Sequence, residues 1–180
     1  MSAQTTTQAV PAGTYKVDPV HSTINFAVVY NGVTTFRSGF RAYEATLTGG
    51  EAPKLEGSVE VAGIDIDEEA FKGHLLSPDF FDAERYPEVS FTADEVRRDG
   101  DRVEFDGEIT IRGISQPATL TGTVNGPAVD HFGKNRVGLS LETTVDRTQF
   151  GITWNMPLPN GEPALANEVT LKADLTLVGQ

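Results

Sequence analysis

The ten residues RVEFDGEITI, from Arg102 to Ile111, constrain the fold more than any other stretch of the chain. Val103, Phe105, Gly107, Ile109 and Ile111 fall on one side of an extended strand, and Glu104, Asp106, Glu108 and Thr110 on the other. Successive side chains of a strand point to opposite faces, so the segment has one dry face and one wet face. Asp99-Gly100 separates it from a second extended run at 89–97, a two-residue hairpin signal. The building unit is an antiparallel hairpin buried on one side.

The same alternation recurs along the chain. In YKVDPVHSTINFAVVY, Ile24, Phe26, Val28 and Tyr30 share a face, while Asp18-Pro19 interrupts the run and leaves a short strand at 15–17 before the long one. A strand is expected at 36–47, where Gly39 suggests a bulge or sharp bend. Others are expected at 55–64, 118–125, 136–145 and 168–178, with turns at 49–50 and 113–117 and a loop opening at Gly126-Pro127. A Pro-, Gly- and Asn-rich loop spans 155–167. About eight main strands at hairpin spacing define an all-β chain. They close most naturally into an eight-stranded antiparallel up-and-down barrel with room for one ligand. A two-sheet sandwich fits the same alternation, but the small inward residues Gly107, Thr143 and Ala173 favour a barrel, because they leave space inside.

One short helical insertion breaks the pattern. Asp65 and Glu68 have capping-box spacing, with Asp67 as a competing N-cap. Phe71 and Leu75 then stand four apart on one helical face with His74 beside them, and Pro78 stops the helix. Phe80 and Phe81 follow, then a second stop at Pro87. In an all-β chain, aromatics placed there lie either between sheets or at a barrel mouth.

A length of 180 residues suits one domain, read here as 14–180, with 1–13 as a disordered lead-in. With no cysteine, disulfides, thiolate nucleophiles and Cys-ligated metals are excluded. A formal net charge of −12 weighs against nucleic acid and anionic membrane surfaces as partners. No apolar run is long enough to span a bilayer, so no stable membrane insertion is expected. The first residues show neither a basic nor an apolar region of a secretory signal, and the expected location is cytoplasmic.

Reactive constellations are scarce. His21, His74 and His131 fit no metal-ligand spacing, and no catalytic or cofactor fingerprint is present, so neither metal nor cofactor is expected. His21, oriented by Asp18, is a base, a polar ligand contact or a turn histidine satisfied by backbone, the last being favoured over catalysis. Arg37, Arg41, Arg112, Arg136 and Arg147 either converge on an anionic head or, more commonly, pair with nearby acids. The aromatics speak more clearly. Phe26, Tyr30, Phe91 and Phe105 lie on dry faces, while Phe71, Phe80, Phe81 and Trp154 flank loops, where they can line a pocket mouth. An apolar tunnel of this kind suits a long hydrocarbon, because each buried CH₂ is worth about 0.8 kcal/mol.

Five blocks carry a family resemblance. They are Tyr15, Val17, Asp18, Pro19, His21, Ser22, Ile24, Phe26 and Val28 at the start; Leu75, Ser77, Pro78, Asp79, Phe80, Phe81 and Asp82 with Tyr86, Pro87, Val89 and Phe91 in the centre; GEITIRG at 107–113; RTQFGI at 147–152 with Trp154-Asn155; and NEVTL at 167–171. In that order they resemble the YceI-like family of lipid- or polyisoprenoid-binding proteins, over about 15–177. The resemblance implies a lipocalin-like barrel around an elongated apolar cavity, a binding role, and a setting in isoprenoid-quinone metabolism or stress response. Many members begin with a secretory signal, and many carry a histidine near the end of the first long strand, where Tyr30 stands here.

The combined reading is a non-enzymatic protein that sequesters or transports a long-chain isoprenoid or fatty amphiphile. Ile24, Phe26, Val28, Phe91, Phe105, Leu139, Leu141 and Leu171 are expected to line the tunnel. Phe80, Phe81, Phe150 and Trp154 are expected at its mouth, with His21 and Tyr30 as polar contacts. The rivals are an isoprenoid enzyme with His21 as base and a filled β-sandwich acting through its surface. An edge-rich sheet leaves a homodimer open.

Overall fold

In the computed structural model, the described residues are 10–180, and among them ten strands and one α-helix form. The strands are β1 (Thr14–Val17), β2 (Thr23–Tyr30), β3 (Thr34–Phe40), β4 (Tyr43–Thr48), β5 (Lys54–Glu60), β6 (Glu88–Asp99), β7 (Arg102–Ile111), β8 (Ile114–Val129), β9 (Asn135–Asp146) and β10 (Leu165–Gly179). The helix α1 (Glu69–Leu76) lies between β5 and β6.

Antiparallel pairing runs β1–β4–β5–β6–β7–β8–β9–β10 and returns from β10 to β1, so the sheet closes into a barrel and the sandwich reading falls. β10 is long enough to serve two partners. Leu177, Val178 and Gly179 pair with β1, while residues 165–174 pair with β2, which in turn carries β3. β1 and β2 are thus one strand broken at Asp18-Pro19, and β3 continues into β4 across Arg41-Ala42. Counting each broken strand once gives eight. β3 alone has a single neighbour among the described strands, so closure removes most of the edges on which the dimer expectation rested.

The break after β1 has a local cause. The Asp18 carboxylate accepts a hydrogen bond from the Val20 N–H at 3.0 Å and caps a 3-10 turn over Pro19–His21, with Pro19 supplying a pre-set φ. In the predicted 36–47 strand, Gly39 makes no bulge. It pairs in register with Asn25, where a β-carbon would collide with the Asn25 side chain and the Ile24 carbonyl, and the bend falls two residues later at Arg41-Ala42. Gly107 likewise does not widen the interior: a β-carbon would strike the Thr92 carbonyl and Ala93, beside the register shift between Ala93 and Glu95. β5 stops at Glu60, short of the predicted 64, where a 3-10 turn takes over. β8 exceeds its predicted span at both ends, because Arg112 and Gly113 complete the preceding turn with φ of 53° and 71° and Pro127 sits in a bulge between Asn125 and Ala128.

The N-cap of α1 is Glu68, whose carboxylate accepts from the Ala70 and Phe71 N–H groups at 3.2 and 2.6 Å. The expected caps, Asp65 and Asp67, are instead both engaged by the guanidinium of Arg41. Val10 is fully buried against Tyr15, Leu47 and their neighbours, so the packed chain starts earlier than residue 14; residues 1–9 of the expected lead-in lie outside the described residues.

The interior divides into two halves. At the end closed by β1, Phe105, Leu47, Val103, Val124, Val137 and Leu177 are all but inaccessible and form a filled core. At the other end a second cluster, including Ile64, Phe80, Ile111, Phe150 and Ile152, surrounds open space.

Candidate ligand-binding site

The open half contains a chamber of about 530 Å³. Phe26 and Val28 of β2, Phe36 and Phe40 of β3, and Val169 and Leu171 of β10 form one side, each on the inward face of its strand. Phe71, His74 and Leu75 of α1 form the lid, with Phe80, Phe81, Ile152 and Trp154 completing the wall. Tyr30 and Phe71 are 49% and 39% exposed, which places the mouth between the β2–β3 tip and the helix.

Aromatic rings line this space in sequence. Phe71, Phe36, Phe26, Phe40 and Phe81 form a chain with centroid separations of 5.5, 6.1, 5.8 and 6.1 Å. Across from them, Phe80, Trp154 and His74 make a triangle with sides of 5.0 to 5.4 Å. These distances fall in the range of favourable edge-to-face and offset pairs, so the rings support one another without filling the centre.

The turn after α1 positions the central aromatics. The Phe81 N–H donates to Leu75 O at 3.0 Å, and Ala83 N–H to Leu76 O at 2.9 Å, folding the segment back on the helix end. Arg112 then donates to the carbonyls of Phe80 and Gly151, at 3.1 and 3.0 Å, joining this turn to the segment that carries Ile152 and Trp154.

A second chamber of about 120 Å³ lies deeper, lined by Ile24, Phe91, Leu141 and Ala173 among others. Phe40, Val89 and Leu171 line both chambers and form the wall between them.

Of the residues expected to line a tunnel, Phe26, Val28 and Leu171 line the large chamber and Ile24, Phe91, Leu141 and Leu171 the small one. Phe105 and Leu139 line neither. Both are buried in the filled half, because alternation specifies the face of a strand and not the depth along it. Of the expected mouth residues, Phe80, Phe81 and Trp154 line the large chamber; Phe150 is 1% exposed and packed into the surrounding core. Tyr30 stands at the mouth. His21 does not: its Nδ1 lies 2.8 Å from Asp18 Oδ2, its side chain is 68% exposed, and it lines neither chamber.

Phe36, Phe40, His74 and Arg147 line the large chamber beyond the residues expected from the sequence; for Phe36 and Phe40, their place on one face of a strand is a usable signal. The arginines do not converge. Arg41 and Arg136 pair with acids, Arg112 holds carbonyls, and Arg147 is buried under the chamber wall. All five N–H groups of Arg147 are engaged, with the carbonyls of Ala166, Ile152, Trp154 and Leu165 and with Asn167 Oδ1. Burial lowers its pKa from the ordinary value, partly countered by Asp146. No cluster of three or more metal-ligating side chains exists among the described residues.

A closed antiparallel barrel, filled at one end and hollow at the other behind a helical lid, defines a lipocalin-like architecture with an internal apolar chamber. The YceI-like domain model matches residues 15–177, and the chain belongs to that family. Protein YceI of Escherichia coli O157:H7 is 29% identical over 147 residues, covering 78% of this chain and 77% of its own. Burkholderia cenocepacia BcnA superposes with a TM-score of 0.73 at 19% identity, over 91% of this chain and 99% of its own. A polyisoprenoid binding domain from Saccharophagus degradans, implicated in plant cell wall breakdown, superposes with a TM-score of 0.69 at 12% identity, over 92% of this chain and 98% of its own.

Proposed function

We propose that this protein binds a long-chain isoprenoid or comparable amphiphilic lipid in the large chamber and acts as a carrier or store, with no chemical step of its own. One observation carries the reading: a chamber of about 530 Å³ whose walls, among the described residues, present only Tyr30, His74, Arg147 and the Trp154 indole as polar side chains. With Arg147 fully engaged by carbonyls, the surface is almost wholly hydrocarbon.

Two magnitudes support an apolar chain as the occupant. Ten buried methylenes contribute about 8 kcal/mol, a micromolar affinity before the cost of immobilising the chain. An empty apolar chamber of this volume, at about 24 cal/mol per Å³, forgoes on the order of 10 kcal/mol of packing, an upper bound because the mouth is open. That is comparable to the net stability of a whole domain. The Saccharophagus degradans neighbour described as a polyisoprenoid binding domain shares the architecture, and cargo of that class fits the setting the family resemblance implies. His21 lines neither chamber, which weighs against the enzymatic alternative that used it as the base.

The test is solvent extraction and mass spectrometry of purified protein, beside Leu171→Trp, which fills the junction of the two chambers. Wild type releases a long-chain lipid, and the variant emerges empty with an equal or higher melting temperature. A wild-type protein that emerges empty, and whose melting temperature ignores every isoprenoid alcohol and fatty acid offered, overturns the reading.

A further inference from the structure

At the lid of the chamber, His74 lines the wall and pairs with Asp79, whose side chain lies outside the chamber and is 55% exposed. His74 Nε2 lies 3.0 Å from Asp79 Oδ2, and the imidazole is clamped edge-on between Phe80 and Trp154, each at 5.0 Å with interplanar angles of 84° and 87°. Asp79 is itself held by the turn, its N–H donating to Ser77 Oγ at 3.3 Å, while Ser77 Oγ donates to the His74 carbonyl at 2.6 Å. The ring is therefore fixed in position by two aromatics and in orientation by a carboxylate. Its other nitrogen, Nδ1, has no hydrogen-bond partner among the described residues and is not among the buried unsatisfied atoms, so it remains accessible.

Resting on the lipid-carrier reading, we infer that His74 is the anchor for the ligand's head group, that Asp79 is its positioning residue, and that the pair selects a neutral hydroxyl head over an anionic one. The chemistry follows from the donors and acceptors present. A neutral ring that donates Nε2–H to Asp79 exposes a lone pair on Nδ1, which accepts from an alcohol or phenol. A protonated ring exposes Nδ1–H, which the same hydroxyl accepts. A hydroxyl is both donor and acceptor, so it fits either state. A carboxylate, which only accepts, fits only the protonated ring, and it would sit beside the negative charge of Asp79. The chamber's other cation offers it nothing, because all five N–H groups of Arg147 are already engaged.

The experiment compares three probes with one chain: a twenty-carbon isoprenoid alcohol, its methyl ether, and the corresponding carboxylic acid. Wild type binds the alcohol about five- to tenfold more tightly than the ether, the value of one hydrogen bond, and binds the acid more weakly than the alcohol. In His74→Phe the alcohol–ether gap closes, a change in ratio that does not depend on what the new ring does to ether binding itself. In Asp79→Asn the gap between alcohol and acid narrows, a change in ratio that a purely structural loss does not produce. An alcohol–ether gap that survives in His74→Phe, or an acid that binds wild type best, overturns the anchor while leaving the carrier intact. Should His74→Phe lose the ether as well, an unchanged alcohol–acid ratio in Asp79→Asn overturns it and a narrowed ratio supports it. Failure of all three probes on wild type overturns the carrier reading and the anchor together.

Discussion

The guanidinium of Arg147 donates to the main-chain carbonyl of Trp154 at 2.9 Å, so a buried cation at the end of β9 holds a ring that lines the chamber. The same side chain reaches the carbonyls of Ile152, Leu165 and Ala166. One arginine thereby ties the returning loop to the start of β10, and a planar five-donor fork is the group able to satisfy that many acceptors at once.

Arg147→Met leaves those carbonyls buried without a donor and destabilises the fold by about 3 kcal/mol or more. Arg147→Lys recovers little, because an ammonium presents three donors from one point where the site is built for a fork. Urea unfolding of both variants checks this. A lysine variant as stable as wild type would show that charge, and not fork geometry, is what the loop requires.

Phe40 lines both chambers. Phe40→Ala joins them and shifts preference toward longer chains, measured by competition across a ladder of isoprenoid alcohols. Its ring already faces open space, so the substitution costs about 2 kcal/mol, less than a fully packed phenylalanine. An unaltered chain-length preference would mean that another side chain sets the floor.

Phe105→Ala is the complementary case. The ring is fully buried in the filled half and lines neither chamber. Its loss destabilises by about 4 kcal/mol and leaves ligand affinity at temperatures where the protein is folded unchanged. Calorimetric unfolding and a binding titration on the same sample separate the two effects.

Acid stability should depend on a network beside the break between β1 and β2. Asp18 is held down to about 2, first by the hydrogen bond with His21 and then by Arg136; Asp130 is held down to about 2, chiefly by Arg136. A carboxyl whose folded pKa lies below its unfolded value stabilises the fold fully above the unfolded value and loses that contribution as pH falls through the folded one. The midpoint of urea unfolding should therefore fall between about pH 4 and about pH 2. Arg136→Met, which removes a partner from both carboxylates, should flatten that fall. An equally steep fall in the variant would place the acid sensitivity elsewhere.

Much of this molecule is legible in its sequence because a strand repeats every two residues. Val103, Phe105 and Ile109, or Leu171, Leu175 and Leu177, announce an inward face without any knowledge of their neighbours. Phe80 and Phe81 are legible as mouth residues because a helix stop leaves aromatics with no strand to belong to. The failures share one cause. Leu139 and Leu141 look alike in the chain, yet Leu139 is packed in the filled half and Leu141 lines the small chamber. They stand only about 7 Å apart along one strand, but that is enough to pass from packed core to void.

His21 and His74 make the same point for polar groups. Each sits a few residues from an aspartate and forms a hydrogen bond with it, so local chemistry could not rank them. What separates them is position: His21 projects from a capped turn into solvent, while α1 swings His74 over the open end of the barrel. The residue pattern alone determined an all-β chain, the faces of its strands and the place of its helical interruption, because those follow from near-neighbour geometry. Only the closed sheet decided which inward residues meet one another and which surround empty space, because filling a barrel depends on how all eight strands pack at each level of the axis.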